Sequence, residues 1–282
     1  MSVIRGARER ARIEVTAAIK EEARRQLAAE GPTRLSLRAV ARELGMVSSA
    51  LYRYFPSRDD LLTALIIDAY DAIGSAAEQA LAAADRGGRA DPLDRWVAVC
   101  RAARDWAVAH PHEYALIYGS PVPGYSAPQD TVGPASRVGL ALVTVARDAH
   151  LAGRLGAPQG RPLAGPVRAD AARLAADLGP ELPVPAIAAL VGAWAQVFGL
   201  ISFEVFGQFN GVVDARGEFF DQTAAGLAAQ IGIDAPDRAP TTDRAPAPDR
   251  AAAPGRGPGH VPDPDPDPGA QIPARDDVLP TK

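Results

Sequence analysis

The stretch from Thr33 to Leu62, TRLSLRAVARELGMVSSALYRYFPSRDDLL, decides the fold because it contains two short helical patterns separated by a tight turn. In the first pattern, Leu37, Val40 and Leu44 recur at helical spacing, so this segment buries one face. Gly45 then supplies the permissive backbone that a sharp helix-to-helix turn requires. The stretch therefore predicts a helix-turn-helix.

The second helix of this pair buries Met46, Leu51 and Phe55, and Pro56 ends it. Its other side is predicted to be exposed. The residues on that side are Ser48, Ser49, Tyr52 and Arg53. Short polar side chains and an arginine on an exposed second helix are what a reader of the DNA major groove presents.

Serine residues stand where three helices are expected to begin. Ser36 precedes the first short helix and Ser57 precedes a third, longer one, and both can accept a hydrogen bond from a free backbone amide. Val47 cannot cap the second short helix through its side chain, so the sequence predicts Ser48 as the cap there.

These positions resemble the DNA-binding signature of TetR/AcrR-type transcriptional regulators. The matching residues are Val40-Ala41, Gly45, Leu51-Tyr52, Tyr54-Phe55, Arg58 and Leu61-Leu62. The match fixes about ten positions in register over the first quarter of the chain. Val47 is a departure, since the family has serine at the start of this helix. A chance helix-turn-helix inside an ordinary helical bundle is the alternative, and the density of matches disfavours it.

The expected partner is a double-stranded DNA operator. The residues predicted to contact phosphates, or to flank the helix N-terminus that does so, are Ser36, Arg38, Tyr52, Tyr54 and Arg58. The residues predicted to read bases are Ser48, Ser49, Ala50 and Arg53. Two alternatives stay open: Tyr54 belongs partly to the core, or Arg58 pairs with Asp59 or Asp60.

The charges of the chain are unevenly distributed. The net charge is −4, whereas residues 1–60 carry twelve Lys or Arg against eight Asp or Glu and are therefore net basic. A basic end joined to an acidic body is typical of a DNA-binding module attached to a module that does not bind DNA. Arginines near the N-terminus form either a basic arm or a solvated helix start; they are Arg5, Arg8, Arg10 and Arg12.

The remaining periodicities predict an all-α fold. An N-terminal three-helix helix-turn-helix domain over residues 1–60, with a linking helix from 57, precedes a larger helical ligand-binding and dimerisation domain over 61–233. Helices are expected near residues 7–29, 57–84, 92–109, 133–155, 169–178, 185–209 and 219–231. Twelve of the 26 prolines lie in residues 234–282, which predicts a disordered tail.

Residues 183–203 are weakly charged, and we interpret them as a buried helix rather than a membrane span. Cys100 is the one cysteine, so no disulfide can form within the chain. The expected location is the cytoplasm. We expect no cofactor and no metal, because the group His110, His112 and Glu113 near Cys100 has no second ligand pair at metal-binding spacing.

The segment AWAQVFGLISFEVFGQ resembles the WHG-type ligand-binding domain of some TetR-like regulators. Trp194 and Gly199 match that motif, and Phe198 stands where the family has histidine. An unknown small apolar or aromatic effector is the expected ligand. The candidate lining residues are Trp96, Cys100, Trp106, Tyr114, Tyr118, Tyr125, Trp194 and Phe198. For each of them, ordinary core packing is the alternative.

The resemblance implies a repressor that its ligand releases from a palindromic operator. One helix-turn-helix covers too short a footprint for a genome, so a homodimer is expected. The predicted interface lies on the helices at 185–209 and 214–231, and burial of both within one chain is the alternative. Two other functions stay open from the residues. One is a helical enzyme or small-molecule carrier with a vestigial helix-turn-helix, although no catalytic motif supports an enzyme. The other is a constitutive DNA-binding protein whose tail recruits a partner.

Overall fold

The computed structural model describes residues 2–86 and 91–233. The predicted tail, residues 234–282, lies outside the described residues. The helices are α1 Ser2–Glu30, α2 Leu37–Glu43, α3 Ser48–Leu51, α4 Arg58–Asp85, α5 Pro92–Ala109, α6 Pro111–Tyr118, α7 Val132–Leu151, α8 Gly165–Leu178, α9 Val184–Val205 and α10 Arg216–Ile231. The described part of the chain contains no β-strand beyond one isolated bridge, Leu155 to Ile233, so the predicted all-α class is confirmed.

Polar side chains fix where several helices begin. Ser36 accepts a hydrogen bond from the Ala39 amide at 3.4 Å, and Ser57 accepts one from the Asp60 amide at 3.1 Å. Both predicted caps are therefore confirmed. Asp91 caps α5 in the same way, immediately before a proline in the first turn, where the missing N–H costs no helical hydrogen bond.

The buried apolar residues form two clusters. The N-terminal core joins α1, α2, α3 and the first half of α4; its largest fully buried side chains are Ile19, Leu51, Leu61, Leu62 and Leu65. The body core joins the second half of α4 to α5 and to the helices after it, around Trp96, Tyr114, Leu142, Ile187, Ile201 and Leu227. Because α4 is continuous and supplies both clusters, the division at residue 60 or 61 stays a prediction.

The end of α6 and the loop after it pack on the N-terminal core. Val122 is buried there, and Leu116 and Tyr125 pack against the same cluster. The Tyr125 hydroxyl lies 2.9 Å from Thr63 Oγ1, and the Tyr70 hydroxyl donates to the Ile117 carbonyl at 3.2 Å. These contacts attach a segment from the middle of the chain to the N-terminal helices.

One face of α9 is buried and the other is exposed. The inner face packs on α5, α7, α8 and α10, whereas the outer face leaves Gly192, Ala195, Gly199 and Phe203 exposed. The predicted buried helix is therefore right for the inner face and wrong for the outer one. By length and composition alone, α9 is also the one helix among the described residues that could cross a membrane, yet its packing on four helices favours a place in the bundle.

Two arginines on α5 form ion pairs with acidic residues of the last two helices, and one pair is buried whereas the other is exposed. Arg104 makes a two-pronged ion pair with Glu204 of α9, at 2.7 and 2.6 Å, and both side chains are largely buried. Arg101 makes a similar pair with Asp221 of α10, at 3.0 and 2.6 Å, but on the surface.

Candidate nucleic-acid interface and helical body

The turn between α2 and α3 depends on the backbone of Gly45. Its φ is +63°, and its amide donates to the Arg42 carbonyl at 3.1 Å. The next amide, of Met46, donates to the Ala41 carbonyl at 2.8 Å. A Cβ on Gly45 would meet no atom within 4 Å, so glycine is required for its conformation and not for space.

Helix α3 is held by its apolar side. Leu51 is fully buried and Phe55 nearly so, which places the opposite side toward solvent. Ser49, Tyr52 and Arg53 are exposed. Ser48 and Ala50 are half-buried at the edges of this surface. The predicted base readers therefore lie on the exposed side of α3 and its edges.

The predicted cap at Ser48 is wrong. The N-cap of α3 is Val47, which has extended backbone angles and makes no capping bond through its side chain, and Ser48 is the first helical residue. The helix starts here because the Val47 carbonyl accepts from the Ala50 amide at 2.9 Å, a backbone bond that any residue can make. The Ser48 side chain therefore does not cap α3.

The predicted phosphate contacts occupy different environments. Arg38 and Tyr52 are exposed, whereas the Ser36 hydroxyl is engaged at the start of α2. Arg58 donates to the Pro32 carbonyl at 2.7 Å and pairs with Asp59 at 3.3 Å.

Tyr54 is half-buried against the N-terminal core, and the Arg12 guanidinium lies 5.7 Å from the centre of its ring. The structure thus gives Tyr54 and Arg58 contacts within the head, which we define as α1, α2, α3 and the start of α4, as the alternatives allowed. It also places Arg12 beside the helix-turn-helix. The one sequence feature that pointed to this position was the group of arginines near the N-terminus.

Known protein families match both parts of the chain. Residues 19–65 match the bacterial regulatory proteins of the tetR family, and residues 96–227 match the tetracyclin repressor-like C-terminal domain. The HTH-type transcriptional regulators Rv1816 of Mycobacterium tuberculosis and Mb1846 of Mycobacterium bovis are each 42% identical over 217 residues, which is 73% of this chain and 86% of the regulator. The chain belongs to the TetR family. It is a DNA-binding transcriptional regulator.

Solved structures agree with this TetR-family assignment. The crystal structure of the regulatory protein SCO4313 is 35% identical, with a TM-score of 0.60, and the match covers 78% of this chain and 98% of that one. A protein from Rhodococcus sp. RHA1 is 22% identical, with a TM-score of 0.59 and coverage of 77% and 95%; it supports the fold alone.

In this TetR-family body, several candidate ligand contacts are packed into the core. Trp96, Cys100, Tyr114 and Phe198 are all buried. The Trp96 indole donates to the Ala224 carbonyl at 2.9 Å, and the Tyr114 hydroxyl lies 2.9 Å from Ser202 Oγ. Burial raises the pKa of Tyr114 to about 12, so its phenol stays neutral at physiological pH.

Two other candidates lie apart from this group. Trp106 stacks on His110 at the end of α5, with ring centres 5.1 Å apart, and Tyr125 packs on the N-terminal core. The eight predicted residues therefore do not line a common site.

An aromatic row crosses the body from α9 to α4. The ring centres of Trp194 and Phe198 are 5.8 Å apart, those of Phe198 and Tyr118 are 4.3 Å apart, and those of Tyr118 and Tyr70 are 5.9 Å apart. Burial raises the pKa of both tyrosines, so the row carries no charge at neutral pH. No local sequence pattern links the three helices that the row touches, which are α9, α6 and α4.

An apolar cleft of about 470 Å³ opens between α7, α8 and α9. Of the predicted lining residues, Trp194 borders it. Residues that the sequence reasoning missed form the rest of its walls, among them Gly139, Leu140, Leu142, Leu174, Leu178, Ile187, Leu190 and Val191. Leu140, Leu174 and Val191 are exposed apolar residues, a signal that only the structure reveals.

Cys100 is expected to be chemically inert in the native regulator. It is buried, and burial raises the pKa of its thiol, with the negative charge of Asp221 acting in the same direction. The thiolate is the reactive form, so 5,5′-dithiobis(2-nitrobenzoate) at pH 8 should react with Cys100 only after unfolding. The absorbance released in buffer and in guanidinium chloride measures this; rapid release from native protein would contradict it.

Proposed function

We propose that this TetR-family regulator is a cytoplasmic, dimeric repressor that a small-molecule effector releases from a palindromic operator. It acts as a regulator and not as an enzyme. One observation carries the proposal. Leu51 anchors α3 in the N-terminal core, so the polar side of α3 is exposed, and the same chain exposes apolar residues on α9 and α10, among them Phe203 and Phe219. One α3 covers too short a footprint for a genome, so two copies are needed.

The proposed DNA contacts follow the exposure of α3 and its surroundings. Arg53 and Ser49, with Ser48 and Ala50 at the edges, would read base edges, and Tyr52 and Arg38 would contact phosphates. Tyr54 and Arg58 would act chiefly by fixing the head, because each already has partners within it. Ser36 would contribute by aligning the first amides of α2.

The proposed dimer interface is the outer face of α9 and α10, which we define by its exposed residues Gly192, Ala195, Gly199, Phe203, Phe219 and Gly226. Their spacing places them along one side of each helix. Phe209 joins the two helices, because its ring centre lies 5.7 Å from those of Phe203 and Phe219. The three glycines have no atom within 4 Å of a Cβ position, so a second helix can approach closely.

The proposed release uses the attachment of α6 to the head. Two hydrogen bonds, between Tyr125 and Thr63 and between Tyr70 and Ile117, connect α6 and the loop after it to α4, which carries the head. A movement of α6 would therefore shift α4 and change the separation of two α3 helices, which must be about 34 Å to read successive major grooves. Effector and operator would then oppose each other's binding by the same factor.

A footprint on the DNA beside the protein's own gene tests the proposal. The expected result is protection of an inverted repeat, with an affinity that falls steeply as salt rises because phosphate contacts release counterions. Addition of the effector should remove the protection. Protein that protects no duplex at low salt would refute the assignment.

Replacing Arg53 with alanine is expected to lower operator affinity roughly 10-fold and to relax the preference at one base pair. A bidentate arginine–guanine contact discriminates between bases by about 1–3 kcal/mol. Binding to all single-base variants of the operator measures the effect. Arg53→Lys is the matched control, because it keeps the charge and loses the two-pronged geometry. An equal loss on every sequence would make Arg53 a phosphate contact instead.

A further inference from the structure

We propose that the α7–α9 cleft is the effector site and that the effector is an uncharged, largely apolar small molecule with one hydrogen-bond acceptor. This inference rests on the proposed ligand-released repressor, and it names the position and the chemistry of the ligand. The cleft volume of about 470 Å³ lies within the range of small-molecule sites.

The walls of the cleft exclude a charged ligand. They consist almost entirely of aliphatic side chains from three helices. The two hydroxyl groups at the rim are already engaged, since Thr131 donates to the Pro128 carbonyl and Ser136 donates to the Gly133 carbonyl, each at 2.8 Å. An ion placed here would lose its hydration without gaining a partner, whereas an apolar molecule would release ordered water.

One polar group distinguishes the cleft from a plain hydrophobic surface. The Trp194 side chain is 38% exposed, and its indole N–H makes no hydrogen bond within the described residues, in contrast to that of Trp96. Gly139 of α7 faces it: a Cβ on Gly139 would lie 4.0 Å from Trp194 Nε1. Even a Cβ at position 139 would only reach van der Waals distance from this nitrogen, so the N–H stays free to donate to a carbonyl, ether or hydroxyl oxygen of a ligand.

The position of the cleft favours a small molecule over a second copy of the chain. Trp194 and Val191 face α7 and α8, whereas the outer face of α9, with Gly192 and Gly199, points to a different side of the helix. Its lining also includes three buried residues, Leu142, Ile187 and Leu190, so the cleft extends beneath the surface of the bundle.

The aromatic row gives the cleft a contact path to α4. A ligand against Trp194 touches the first ring of the row, and the Tyr118 and Tyr70 rings continue it to the helix that carries the head. Occupancy that shifts Trp194 must therefore repack Phe198 and Tyr118, since interiors have little free volume. This is how an apolar ligand would reduce operator affinity.

The test uses 6-propionyl-2-(dimethylamino)naphthalene, an uncharged aromatic ketone whose fluorescence changes in apolar surroundings, with the full chain and two variants of Gly139. Gly139→Ala leaves the cleft open, whereas Gly139→Leu fills it. Both residues favour a helix more than glycine does, so α7 should remain folded. We expect wild type and Gly139→Ala to bind the probe similarly, and Gly139→Leu to bind it at least 10-fold more weakly.

The same proteins are then titrated with operator DNA, first without and then with the probe. All three should bind DNA alike in its absence, and the probe should weaken operator binding of wild type and Gly139→Ala but not of Gly139→Leu. Failure of all three proteins to bind any operator without the probe would refute the proposed function, whereas normal DNA binding with no effect of the probe would refute only the effector site.

Three further outcomes would overturn the inference. The first is equal probe binding by wild type and Gly139→Leu, which would place the site elsewhere. The second is a change of Gly139→Leu from dimer to monomer in sedimentation, which would assign the cleft to a second copy. The third is probe binding only after removal of residues 234–282, which would assign the cleft to that segment of the chain.

Discussion

Replacement of Phe203 with glutamate should convert the proposed dimer to monomers and lower operator affinity roughly 100-fold or more, the scale on which linking two binding modules raises affinity. Phe203 is 52% exposed on the outer face of α9 and belongs to the row of phenylalanines that joins α9 to α10. In a two-fold interface each residue meets the same surface of its partner, so one substitution buries two carboxylates. The residues that define the outer face include no cation, and burying an unpaired charge is costly.

Sedimentation and operator titration measure the two effects. Leu151→Glu is the matched control, because Leu151 is also exposed and apolar but lies at the end of α7, outside the outer face. We expect the control to remain dimeric and to bind DNA normally. A Phe203→Glu protein that stays dimeric with full affinity would place the interface elsewhere.

Replacement of Arg104 with methionine should lower the free energy of unfolding by about 3–5 kcal/mol, the usual cost of removing one partner of a buried ion pair. The exposed fractions of the Arg104 and Glu204 side chains are 15% and 9%, so the remaining carboxylate would lie in the interior without a cation. Methionine keeps most of the packing of the arginine stem. The loss therefore reports on the charge.

Arg101→Met is the matched control for this experiment. Arg101 and Asp221 form the same two-pronged pair, but their exposed fractions are 52% and 32%, so removal should cost only about 0–1 kcal/mol. The double variant Arg104→Met with Glu204→Met should recover much of the lost stability, because no buried charge is left unpaired. Urea unfolding of the four proteins measures these differences. Equal losses at Arg104 and Arg101 would contradict the role of burial.

The local features of this fold were predictable because each depends on neighbours in sequence. Gly45 adopts the left-handed conformation that its place in the turn requires, and Ser36 and Ser57 cap the helices that follow them. Helix α5 was predicted with the bounds that it has, Pro92–Ala109, because a proline stands at each end. The error at Ser48 shows the limit of this reasoning, since a backbone bond can start a helix without a capping side chain.

The candidate ligand site was harder to predict because it depends on contacts across the chain. An aromatic residue in the core and one at a cleft look the same in a sequence. Trp96 is buried beneath α10 and Trp194 borders a cleft, although each lies on an apolar helix. Similarly, no local pattern places Tyr125 against Thr63, which is 62 residues away. The DNA contacts stay predictions, because exposure of Arg53 does not reveal what it touches.

The continuity of α4 limits how heads could be exchanged among regulators of this kind. Leu61 and Leu65 anchor this helix in one cluster, and Ile73 and Ala77 anchor it in the other, with no flexible joint between them. Each inserted residue would turn one cluster by about 100° relative to the other. A chimera with a new operator preference would therefore function only if the junction between the two parent sequences, placed within α4, preserved the helical phase.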